Sequence, residues 1–84
     1  MQRLAELGET VSLRRKALGL SQSEVAKRSG ITRESLVRFE RGQLSEFGSR
    51  KLLAILAVLS LEITFTETGA SGTLDDLRRE RGGA

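Results

Sequence analysis

The chain has no cysteine, histidine, proline, tryptophan or tyrosine, and only three phenylalanines. Without cysteine and histidine, neither a structural zinc site nor a Ser-His-Asp or Cys-His catalytic group can be assembled. Serine, threonine, lysine and carboxylates remain, and no cluster of them suggests an activated nucleophile. No catalytic residue, metal or cofactor is therefore expected. A disulfide-free chain with no visible secretory signal fits a reducing cytoplasm. The most apolar run, Leu52–Leu61, is far too short to cross a bilayer, so no membrane partner is expected.

Eighty-four residues suffice for one domain with a core, although a marginal one as a monomer. The expected division is a body over 1–67 and a linker and tail over 68–84. The net charge of +3 is unevenly spread. Residues 14–41 carry eight basic side chains against three acidic ones, whereas residues 52–84 carry three against five. One end is suited to meet phosphate and the other is not.

The most informative stretch is 20–42, LSQSEVAKRSGITRESLVRFERG. Ser21-Gln22-Ser23-Glu24 has the form of a capping box, in which Ser21 and Glu24 satisfy each other's backbone donors. Val25 and Ala26 give a short apolar face, and Gly30 supplies the left-handed residue that ends a helix. Thr32 can cap a second helix whose Leu36, Phe39 and Glu40 share one side. Gly42 ends it. Arg33, Glu34, Val37, Arg38 and Arg41 are left outside. Two such short helices need packing on neighbours to hold their geometry. An arginine-bearing outer face matches the forked recognition of guanine in a major groove, but it also matches an ordinary helical hairpin with a solvated basic face.

Gly19-Leu20-Ser21-Gln22, Ala26, Gly30 and Phe39-Glu40-Arg41-Gly42 together resemble the helix-turn-helix of the Xre/Cro/phage-repressor family. The resemblance implies a mainly α fold, a repressor-like domain of four to five helices. It implies base contacts by Arg33, Glu34 and Arg38. Phosphate contacts are expected from Gln22, Thr32 and Ser35, and from Arg41, Gln43 and Ser45 in the following loop. Glu34 departs from the small or amide residues often found at its position; it could accept from a cytosine amino group, repel phosphate, or simply suit the helix N-terminus.

Residues 3–18 read as the first helix, with Leu4, Leu7, Val11 and Leu18 on its inner stripe. Arg15 occupies the remaining inner position. A buried ion needs a partner, and Glu40 likewise lies on the inward side of its helix. The family resemblance implies a salt bridge between Arg15 and Glu40. Arg14 and Lys16 read as a solvated face with some steering of DNA. The fourth helix is expected to begin between Ser45 and Ser49 and to run to Leu59, apolar nearly all round and hence buried on two sides, one of them against a second copy of the chain.

Residues 61–67, LEITFTE, give the only strand signal: Leu61, Ile63 and Phe65 alternate with Glu62, Thr64 and Thr66. Nothing else in the chain can pair with this strand, so pairing across a homodimer is expected, with Val58, Leu61, Ile63 and Phe65 at the interface. One strand directly after the fourth helix resembles HipB-type antitoxins, which implies a HipA-like kinase toxin as a possible partner. In the tail, Thr73–Arg81 shows a helix-start signal but only two apolar residues, Leu74 and Leu77. The expected function is a DNA-binding dimer that regulates transcription. A stand-alone regulator without a toxin and a pure protein-interaction module are the alternatives, and the latter would show no salt-dependent binding to double-stranded DNA.

Overall fold

The described part of the chain folds into four helices, of which the second and third start at side-chain caps. In the computed structural model, which describes residues 3–68, these helices are α1 (Leu4–Ala17), α2 (Gln22–Ser29), α3 (Arg33–Glu40) and α4 (Ser49–Val58). Ser21 accepts from the Glu24 N–H at 3.0 Å and donates its own N–H to the Glu24 carboxylate at 3.2 Å, completing the capping box of α2. Thr32 Oγ1 accepts from the Ser35 N–H at 3.1 Å and caps α3. At the end of α2, Gly30 takes φ 74°, and the Ile31 N–H closes back onto the Ala26 carbonyl.

The end of α4 uses the same closure without a glycine. Ser60 sits at φ 55°, while Leu61 N–H donates to Leu56 O at 2.8 Å. A side chain in this left-handed region costs roughly 1–2 kcal/mol, offset in part by the extra chain entropy that glycine would lose. Ser60→Gly should therefore raise stability by about 0.5–1 kcal/mol, read as a higher urea midpoint at unchanged slope. A lower midpoint would show that Ser60 carries no strain.

The core forms where the four helices meet. Val11 of α1, Val25 and Ala26 of α2, Leu36 and Phe39 of α3, Ile55 of α4 and its cap Leu59 are all buried. Each large side chain contributes on the order of 1.5–3 kcal/mol on burial. α2 packs against α3 and α4, and α1 against α3, so the pose of α3 is set from two sides. Phe47, from the loop after α3, stacks on Phe39 with ring centroids 4.3 Å apart.

Two expectations for α1 need correction. Leu18 does not belong to the inner stripe of α1: it is 42% exposed, because α1 ends before it. The buried positions of α1 are Gly8, Val11 and Arg15. Arg14 is not simply solvated, since its Nε donates to the Leu59 carbonyl at 3.0 Å and ties α1 to the end of α4. The outer side of α4, expected to lie against a second copy of the chain, carries Leu53 at 54% exposure in the single chain.

After α4 the chain runs on through 61–67 with no sheet pairing among the described residues. Leu61 packs against the core, and Ile63 lines a shallow groove with α1 and α4. Phe65, expected with Ile63 at a homodimer interface, does not pack on the helices of its own chain and is 72% exposed. The helix-start signal at Thr73–Arg81 lies outside the described residues. No helix among those described is long and apolar enough to cross a membrane.

Candidate nucleic-acid interface

The outer face of α3 is held from below by a chain of polar contacts that begins in the core. Arg15 grips Glu40 in a two-point contact, Nε to Oε2 at 2.7 Å and Nη2 to Oε1 at 2.9 Å. Its remaining Nη1 donates to the Leu20 carbonyl at 2.9 Å. The side chains of Arg15 and Glu40 are only 10% and 4% exposed, so the pair anticipated from the sequence is present and buried. Burial pushes the Glu40 carboxyl up, but the hydrogen bonds from Arg15 and Gln22 outweigh it and hold the group below the usual carboxylate range. The same hydrogen bond from the other side pushes Arg15 further up, against the cost of burial.

The chain continues outward. Gln22 Nε2 donates to Glu40 Oε1 at 3.0 Å, and Gln22 Oε1 accepts from Arg33 Nη2 at 3.3 Å. The carboxylate can only accept and the guanidinium can only donate, so the two contacts fix which way the amide points. Arg33 is thereby tethered at the first position of α3, with the rest of its donor fork free. The sequence did not disclose this link, because Gln22 reads as an exposed early-helix residue; only the stacking of α2 on α3 brings it to Glu40.

The other candidate residues lie around Arg33. Glu34 and Arg38 are exposed on α3, and Val37 is half-buried between them. Thr32 is exposed, with its hydroxyl directed to Ser35 Oγ at 2.9 Å; this leaves the Ser35 hydroxyl proton free for a further acceptor. Arg41, Gln43 and Ser45 are exposed beyond the end of α3. A second basic surface was not anticipated. Arg50 and Lys51 of α4 line a cleft of about 380 Å³ with Ser29, Gly30 and Ile31 at the α2–α3 turn. The adjacent Arg-Lys pair just inside α4 was the available sequence signal.

A capped helix, a glycine turn and a second helix with an exposed polar face, braced by two further helices, define a DNA-binding helix-turn-helix domain of the kind used in transcriptional regulation. A family model described as Helix-turn-helix matches residues 11–65, and the chain belongs to that family, of the Xre type. No curated protein matches the chain.

Proposed function

We propose that this protein is a sequence-specific transcriptional repressor that binds a near-palindromic operator as a homodimer. The observation that carries the reading is the exposed face of α3, where Arg33, Glu34 and Arg38 stand clear of the core while Glu40 and Gln22 brace the helix from behind. Arg33 and Arg38 have the donor geometry for guanine O6 and N7, and Glu34 can accept from a cytosine amino group. Gln22, Thr32, Ser35, Arg41, Gln43 and Ser45 flank that face and are assigned to phosphate. A two-fold dimer would place its recognition helices in major grooves about 34 Å apart.

Arg33→Ala and Arg38→Ala should each weaken operator binding by about 1–3 kcal/mol and relax preference at particular base pairs. Gln22→Ala should act differently from a plain phosphate contact. It releases Arg33 as well, so specific binding should fall more than non-specific binding. Selection of bound sequences from a random DNA pool, with a salt titration, tests these assignments together. Equal losses on selected and random DNA for both arginine variants would remove them from base readout, and binding without salt dependence would favour a protein-interaction module.

Within this class, the alternating segment directly after α4 favours a HipB-like antitoxin over a stand-alone regulator. A HipA-like kinase toxin would then be the protein partner. Loss of growth inhibition when the chain is co-expressed with a HipA-like kinase, together with co-purification, is the expected result; a chain that represses its operator with no such partner is a stand-alone regulator.

A further inference from the structure

Among the described residues, an apolar groove stands open between α1, α4 and the segment after it. Leu7, Thr10 and Val11 of α1, Leu52 and Leu56 of α4, and Ile63 line a space of about 120 Å³. That is similar in size to the ~150 Å³ apolar cavities that admit a single benzene ring. Two residues beyond Ile63, Phe65 is the most exposed large apolar side chain among the described residues, at 72%. In an extended chain these two side chains share a face but stand roughly 7 Å apart. Phe65 therefore cannot enter the groove that Ile63 of the same chain already lines.

We propose that the groove is the seat of Phe65 from a second copy of this chain, and that this contact sets the register of the dimer. The inference rests on the homodimer proposed above and specifies its interface. In an antiparallel pair about a two-fold axis, the residue on the axis determines every other pairing. With Thr64 on the axis, the partner's Phe65 lies directly opposite Ile63, on the same face and over the groove. The contact is reciprocal and closes at two copies. With Ile63 on the axis, the partner's Phe65 lies opposite Leu61, which already packs on the core, and the groove stays open. With Glu62 on the axis, two carboxylates face each other directly, which is unfavourable. The Thr64 register pairs Glu62 with Thr66 and avoids this. It also gives a partner to the backbone of 62–66, which makes no backbone hydrogen bond among the described residues.

The composition makes the test clean, since the chain has no cysteine and no tryptophan of its own. Residues on the axis bring their Cα atoms to about 4.5–5.5 Å, within disulfide range. Thr64→Cys, in the full chain at low micromolar concentration under oxidised glutathione, should form a covalent dimer. A mixture of Glu62→Cys and Thr66→Cys should give the heterodimer, and neither alone should crosslink. Phe65→Trp places the only indole of the chain at the knob. Its emission should shift to the blue as concentration passes through the monomer–dimer transition seen by sedimentation. Thr10→Glu puts a charge into the groove at an exposed helical position. It should preserve the helical circular dichroism while weakening the dimer on the order of tenfold or more, and it should return the indole emission to that of solvent. A wild-type dimer in which Thr64→Cys fails to crosslink and the indole stays solvent-exposed overturns the groove and register but leaves the dimer. A wild-type monomer overturns both. A blue-shifted indole in the monomer means that the chain covers Phe65 itself, and also overturns the proposal.

Discussion

Replacing Glu40 with alanine is expected to destabilise the fold by about 3–5 kcal/mol, because it strands a buried guanidinium. Arg15 is 8% exposed overall, and with Glu40 gone only the Leu20 carbonyl remains as an acceptor for it. Gln22 loses its anchor in the same step, and Arg33 is loosened with it. Arg15→Met combined with Glu40→Leu should be far milder than either change that leaves one charge behind, since a buried pair gains little net energy after desolvation. A double-mutant cycle by urea unfolding measures this directly. Additive single and double losses would show that the two side chains do not act as a pair. Acid should reproduce part of the effect. The folded Glu40 carboxyl lies below its ordinary value of about 4.3, so its contribution is fully present above that pH. It is lost as the pH falls through the lower, folded value. As the pH falls below about 4.3, the wild type should lose more stability than Glu40→Gln does, although Glu40→Gln starts lower. The Glu24 carboxyl, held low by the Ser21 N–H, is exposed at the start of α2 and adds only a small component to the same slope.

Local chemistry was legible in the sequence and tertiary approach was not. The Ser21–Glu24 box, the Gly30 turn and the Thr32 cap are all decided within four residues, and each appears where the pattern puts it. Arg15 and Glu40 could be paired at a distance, because both are charges on inward faces and the family resemblance implies a salt bridge between them. The Gln22 link escaped notice, since an amide carries no charge that demands a partner. Phe47 escaped because it lies in a loop with no periodicity to place it, yet its ring completes the cover over Phe39. Arg14 was misplaced for a related reason. Sequence spacing locates it on the flank of α1 but cannot show that the last carbonyls of α4 end beside it and need a donor.

Gly8 is the largest omission, and it leads to the second large effect. Within a helix, glycine reads as a weak point about 1 kcal/mol worse than alanine, so Gly8→Ala looks like a stabilising change. The packing reverses that sign. A Cβ on Gly8 would lie 2.0 Å from the Phe39 carbonyl oxygen and 3.0 Å from its carbon. Both are backbone atoms in the last turn of α3, and the oxygen also accepts the Gly42 N–H at 3.1 Å. No side chain can swing aside, so α1 and α3 must separate. Overpacking of this kind costs about 1–3 kcal/mol or more, and here it also pulls Arg15 away from Glu40, next in sequence to Phe39. Gly8→Ala should therefore destabilise by about 2 kcal/mol or more despite its better helix propensity. The two contributions can be separated experimentally. A peptide covering residues 3–18 should gain helicity with alanine, while the full chain should lose stability in urea. Operator affinity should fall as well, since α3 carries Arg33 and Arg38 and its pose is set in part by α1. A full-length Gly8→Ala protein as stable as the wild type would mean that the helices can separate freely at this point, and that the close approach of α1 to Phe39 does not hold α3 in place.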